Sequence, residues 1–267
     1  MRVTLNRGRL QRPSLLVALG LVALVVFALP LLGLLVRAPW AKLGEILARD
    51  IVVDALRLSI ITSIVATVIA AVLGIPLAWL LARADFRGRG VVRGIVTLPL
   101  VLPPVVGGAG LLFALGGRGL IGEPLNEATG LLLPFSTWGV ILANTFVAMP
   151  FLVITVEGAL RSLDHRYESA AATLGATPWT VLRRVTLPMI SSSLAAGVVL
   201  TWARALGEFG ATITFAGNLQ GRTQTLPLAV FVALESDREV AVALSLVMVV
   251  ISFGVLVALR DRWWRGL

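Results

Sequence analysis

Gly117, Gly119 and Gly122 stand in the spacing Gly-x-Gly-x-x-Gly. In dinucleotide-binding proteins that spacing lets backbone N–H groups approach a pyrophosphate, and it requires a strand before the glycines and a helix opening on them. Here an apolar run precedes the glycines and an outer loop ending at Glu123-Pro124 follows, so they read as a turn. A P-loop is excluded because its lysine must follow a glycine, whereas the only lysine, Lys42, follows Ala41. Cysteine is absent, which removes disulfides, thiolate metal sites and Cys nucleophiles; His165 is the single histidine. There is no Gly-x-Ser-x-Gly elbow, and Asp50, Asp54, Asp85, Asp164, Asp237 and Asp261 fall at the ends of apolar runs or between them. The chain therefore reads as no enzyme, with no cofactor or metal of its own. If ATP powers it, another chain holds the ATP and its Mg and performs the hydrolysis.

One charged constellation survives this sieve. Arg204 and Glu208 are spaced i, i+4 in an apolar run, so on a helix they share a face and can pair. Ionisable residues inside a membrane are costly and face a pathway or the interior of the bundle. Two readings stand. Arg204 could lend positive potential to an anion path, with Thr212, Thr214 and Asn218 offering neutral hydrogen bonds, or the pair could pin two helices together.

The elements that must position these residues are membrane spans. A hydrophobic share of 58% with only 14% charged residues exceeds what a soluble domain of 267 residues carries, and the mean hydropathy is +0.95. Six apolar runs are long enough to cross a bilayer: residues 14–36, 55–81, 95–115, 138–160, 187–207 and 240–259. The first follows a basic arm, residues 1–13, and is too long for a signal peptide, so it reads as a retained helix. Gly74, Pro76, Pro99, Pro103 and Pro104 predict kinks packed against neighbouring helices. Ala66, Ala70 and Gly74 form a small-residue ladder suited to close helix packing. Residues 207–239 mix polar and apolar stretches and suit a short re-entrant or interfacial piece.

The net charge of +9 does not point to nucleic acid, because the basic residues lie in short clusters between the spans without interleaved aromatics. With the N-terminus inside, the inner segments hold fifteen of the Arg and Lys residues and the outer segments six. The positive-inside bias thus places both termini in the cytoplasm, with a tail at 261–267.

One inner segment departs from its surroundings. The stretch YESAAATLGATPWTVLRRVTLP, Tyr167 to Pro188, is polar and alanine-rich between two spans. Asp164 can cap a helix starting at His165, and Gly175 can end it in a left-handed turn. Thr177 can cap a second helix with Pro178 at its first position. Such a pair fits a groove on a partner, but an ordinary alanine-rich loop has the same composition.

The stretch resembles the EAA loop of permease subunits of ABC importers, in which E-A-A is followed by three residues, Gly, nine residues and I-x-L-P. Anchored on Gly175, Ala170 and Ala171 match the alanines, Leu187 and Pro188 match the end of the pattern, and Val185 replaces Ile. Ser169 occupies the glutamate position, and Glu168 stands one residue earlier. A second stretch, RALGEFGATITFAGNLQGRTQTLPLAVF from Arg204 to Phe231, resembles permeases for molybdate, tungstate and sulfate; LPLVLPPVVGG, Leu98 to Gly108, resembles the molybdate members.

The resemblance implies an all-α type I ABC importer permease, its domain spanning residues 50–260 and its cytoplasmic coupling loop residues 161–188. It implies a homodimer in the bacterial cytoplasmic membrane with two ABC ATPase subunits and an external oxyanion-binding protein. Molybdate or tungstate is the implied cargo, with sulfate or thiosulfate as the alternative. It also implies that Glu168, Ser169, Ala170, Ala171, Gly175, Leu187 and Pro188 couple the chain to the ATPase. A secondary transporter without a motor would show inverted repeats, and none is read here.

Overall fold

The computed structural model describes residues 14–263, and every regular element among them is helical. The basic arm 1–13 and residues 264–267 of the predicted tail lie outside the described residues. Among the described residues four helices are long and apolar enough to cross a membrane, or six elements if two bent helix pairs each count as one span.

The first span, α1 (Ser14–Arg37), is apolar on every side and buries no residue of its hydrophobic window within the protomer. A short helix, α2 (Leu43–Leu47), leads into α3 (Asp50–Arg83). The 34 residues of α3 exceed the predicted 55–81. At about 1.5 Å per residue it is about 50 Å long, which carries its last turn beyond a hydrocarbon core of about 30 Å.

The predicted span 95–115 is not one helix. It is α4 (Arg89–Val101) and α5 (Pro104–Leu115), which meet at 120°. Leu102 and Pro103 are extended at the break (ψ 137° and 130°) because each precedes a proline and is steered out of the helical region. The glycines after α5 fold the backbone onto itself, with Ile121 N donating to Ala114 O at 2.8 Å. The loop expected to end at Glu123-Pro124 instead becomes α6 (Gly122–Thr129).

The next span, α7 (Thr137–Ser162), is the best-buried long helix and is capped by Ser136, whose Oγ accepts from Gly139 N at 3.1 Å. Beyond it lie α8 (His165–Thr173) and α9 (Pro178–Val181), a π-turn over Leu182–Thr186, and α10 (Leu187–Met189). The span predicted at 187–207 is α11 (Ser191–Leu206), bent by 76° from the helical segment Pro178–Met189. The π-turn has a local cause. Pro188 has no N–H to donate to residue 184, and Leu187 N bonds Leu182 O, five residues back. The interval 207–239 carries two short helices, α12 (Gly210–Phe215) and α13 (Leu226–Ser236), before the last span α14 (Arg238–Trp263).

The core is the α3–α7–α11 stack. Ala66 and Ala70 are fully buried, and Gly74 lets α3 come against Met149 and Val153 of α7. Without a hydrophobic force between helices in lipid, this close van der Waals contact is what holds them. A second close contact joins α5 to α12. A Cβ on Gly108 would stand 2.7 Å from Ala211 O, so only glycine allows that crossing.

At the end of the molecule where α3 begins, Lys42 pairs with Glu239 at 3.0 Å and Arg49 with Asp237 at 3.1 Å. Both pairs are solvent-exposed, so water and salt screen them and they add little to stability. The N–H of Val240, then the Arg49 side chain and the N–H of Glu239, hold the Asp237 carboxyl below its ordinary range. A depressed folded value means the contribution is full above the ordinary value of 3.8 and is lost only as pH falls below it. Neutral pH leaves that contact intact.

Candidate functional site

The residues of the 161–188 loop lie where α3 and α7 end. Asp164 Oδ1 accepts from Arg166 N at 2.9 Å and caps α8. Gly175 ends that helix with φ +83°, a left-handed conformation in which a Cβ is strained. The N–H of Gly175 bonds Ala172 O and that of Ala176 bonds Ala171 O, the paired bonds that close a helix on a C-terminal glycine. Thr177 Oγ1 accepts from Thr180 N at 3.3 Å, with Pro178 at the first helical position. The two capped helices and the turn read from the sequence are all present.

The outward side of this unit mixes basic and apolar side chains, with Arg166, Arg183 and Arg184 exposed. Ser169 and Ala170 are exposed, Ala171 is half-buried, and Tyr167, Leu174 and Trp179 stand clear of the protomer, Leu174 at 89% exposure. Leu187 instead turns inward onto the α3–α7 cluster, while Pro188 remains exposed. Glu168 also turns inward. Its Oε1 accepts from Thr186 Oγ1 at 2.8 Å, and its Oε2 lies 3.1 Å from Arg83 Nη2.

The charged pair forms, though in a different setting from the one expected. Helix α11 stops at Leu206, so Glu208 lies beyond it in the turn before α12. Arg204 Nη2 still reaches Glu208 Oε2 at 2.6 Å. The Glu208 side chain is 1% exposed and also accepts from Ala211 N at 2.7 Å, satisfying an orphan N–H at the start of α12. Arg204 keeps 28% of its side chain exposed. Of the neutral groups, Thr214 spends its hydroxyl on Gly210 O at 2.8 Å, and Thr212 is buried 3.5 Å from Asn144 Oδ1. Asn218 Oδ1 is buried without a hydrogen-bond partner. The structure brings Arg204, Glu208 and the start of α12 together but leaves neither threonine hydroxyl free.

Sequence reasoning passed over three groups that the fold gathers here. Glu157, inside α7 and 5% exposed, receives Arg93 Nε from α4 at 3.1 Å and Arg161 Nε at 3.0 Å. It is the one acid in the apolar run 138–160, and that isolation was a usable signal. Arg83 and Thr186 converge on Glu168 across separations of 85 and 18 residues, which no local pattern reveals. Trp202 Nε1 donates to Ser63 Oγ at 3.0 Å and ties α11 to α3.

Residues 70–265 match the family model described as binding-protein-dependent transport system inner membrane component. The chain belongs to this family. It is therefore a multi-pass, non-catalytic membrane subunit of a transport system. It is 48% identical to the molybdenum transport system permease protein ModB of Mycobacterium tuberculosis, covering 91% of this chain and 92% of that one. With the corresponding Escherichia coli K12 protein the identity is 39%, covering 78% of this chain and 91% of that one. A chain of the bacterial alginate ABC transporter, crystallised with an alginate pentasaccharide-bound periplasmic protein, has the same fold. Its TM-score is 0.74 over 92% of both chains at 19% identity. The permease component thus has the type I ABC importer fold that its EAA-like loop implied.

Proposed function

We propose that this chain is the membrane subunit of an ATP-driven importer for molybdate or tungstate. It works as a homodimer in a bacterial cytoplasmic membrane, with two ABC ATPase subunits that bind ATP and Mg and with an external oxyanion-binding protein. Both termini face the cytoplasm. The observation that carries this reading is the loop of α8 and α9, whose capped helices present Tyr167, Leu174 and Trp179 outward. Exposed apolar side chains on a rigid unit between spans favour a protein groove, and small residues at Ser169 and Ala170 let the groove approach closely.

Closure of the ATPase pair on ATP would displace this unit and rock the spans from inward-facing to outward-facing. Arg204 supplies positive potential to the anion path, and Glu208 holds it in place from the start of α12. Selectivity for molybdate or tungstate rests on the oxyanion-binding protein, and the relatives named for molybdenum transport at 48% and 39% identity favour that cargo over sulfate. A tagged version of the chain should copurify an ATPase; purification of the chain without any ATPase would favour a motor-independent carrier.

Orientation has its own expected result. Single cysteines can be introduced freely into a chain without any. In intact cells a membrane-impermeant thiol reagent should label Leu120→Cys and Gln220→Cys but leave Arg87→Cys and Arg166→Cys untouched. The reverse pattern would place the α8–α9 loop outside and remove it from any cytoplasmic motor.

A further inference from the structure

We propose that Glu168, Arg83 and Thr186 form a strut that carries displacement of the α8–α9 loop into α3. It rests on the importer reading, and it assigns to Glu168 a role inside the protomer, away from the ATPase surface. Three segments meet on this one carboxylate: the last residue of α3, the first turn of α8, and the end of the π-turn that leads to α10 and α11. Thr186 Oγ1 donates to Oε1 at 2.8 Å, and Arg83 Nη2 lies 3.1 Å from Oε2. His165 closes the ring, its Nδ1 3.4 Å from Glu168 Oε2 and its Nε2 2.7 Å from Arg83 Nη1.

Burial gives the pair its strength. The Arg83 and Glu168 side chains are 8% and 18% exposed, so their attraction is screened far less than that of a surface pair. Apolar packing joins the loop to α3 only at its two ends, where Leu163 and Leu187 meet the α3–α7 cluster. Between the loop and the end of α3 lies a cavity of about 360 Å³, bordered by Trp79, Val181 and Leu182 as well as Arg83, His165 and Glu168. Across that gap the polar contacts make the connection.

The loop does not need the strut in order to fold. Asp164 and Thr177 cap the two helices, and the Gly175 turn joins them through its own backbone bonds. The Glu168 node therefore fixes where this unit sits relative to α3. From Arg83 the push passes along a continuous helix to Ala70 and Ala66, which are locked against α7. Arg83, Glu168 and Thr186 are thus positioning residues, acting through helices they do not themselves move along.

The test is the coupling ratio of the assembled transporter in proteoliposomes, with its ATPase and binding protein, measured as ATP hydrolysed per radiolabelled molybdate ion imported. Arg83→Gln and Glu168→Gln should each retain copurified ATPase and raise that ratio roughly tenfold, within the range by which residues on a coupling route act. Cysteines at both positions, bridged by a short bifunctional maleimide, should bring the ratio back towards that of the unmodified protein, because a covalent link replaces the strut. An unchanged ratio in both single variants would overturn the proposal. So would loss of ATPase copurification, which would place Glu168 at the motor surface. Absence of molybdate uptake by the unsubstituted assembly would sink the importer reading, and the strut with it; an unchanged ratio sinks the strut alone.

Discussion

Arg204→Gln should strip the membrane of most of its folded permease, because it strands the Glu208 carboxylate at 1% exposure. Removing one partner of a buried pair costs about 3–5 kcal/mol, a large part of the stability of a typical protein. Glu208→Gln should do less damage, since a glutamine oxygen still accepts from Ala211 N and Arg204 retains some contact with water. The double variant Arg204→Gln with Glu208→Gln separates structure from transport. Folded protein, measured by detergent-stable yield, should return because no charge is left unpaired. Uptake should stay absent, because a dianion crossing a low-dielectric constriction loses an attraction that glutamine does not replace. Recovery of both yield and uptake would reduce the pair to a structural clamp.

Gly175→Leu is expected to disconnect the motor while leaving the spans in the membrane. No neighbouring atom lies within 4 Å of the position a Cβ would take, so the leucine meets no clash. What it meets is a backbone at φ +83°, which costs a non-glycine residue about 1–3 kcal/mol. The turn relaxes, and α8 and α9 lose the fixed angle that presents Leu174 and Trp179 together. Association with the ATPase should weaken by up to roughly 5- to 150-fold, the equivalent of that strain, and uptake should fall with it. Gly175→Asn is the control, because asparagine tolerates the left-handed region and should retain much of the association. Equal behaviour of the leucine and asparagine variants would mean that the turn is a passive linker.

The loop was legible in the sequence because its determinants are local. Asp164, Gly175 and the Thr177-Pro178 pair act within four residues of themselves, and each is found capping or closing the helix it was expected to. The helix α7 was equally plain, since an apolar run of that length has few other uses in a membrane. What the sequence hid depends on distant partners. Pro103 and Pro104 announced a kink, but a reversal of 120° also needs α12 to come against Gly108, more than a hundred residues away. The pairing of Arg204 with Glu208 followed from their spacing, whereas the helix ends at Leu206 and turns Glu208 towards Ala211 N. The resemblance to the EAA loop placed Glu168 among the residues that meet the ATPase; the fold turns it towards Arg83 and Thr186. Thr214, read as a neutral hydrogen-bonding group for an anion path, donates its hydroxyl to the backbone of its own helix.

Uptake of radiolabelled molybdate tests the central claim most directly, in cells stripped of their own molybdate and sulfate systems and supplied with this chain, its ATPase and its binding protein. Molybdate should accumulate only when the ATPase is active, with unlabelled tungstate competing and excess sulfate leaving the signal intact. Accumulation without the ATPase, or of sulfate in place of molybdate, would contradict the account.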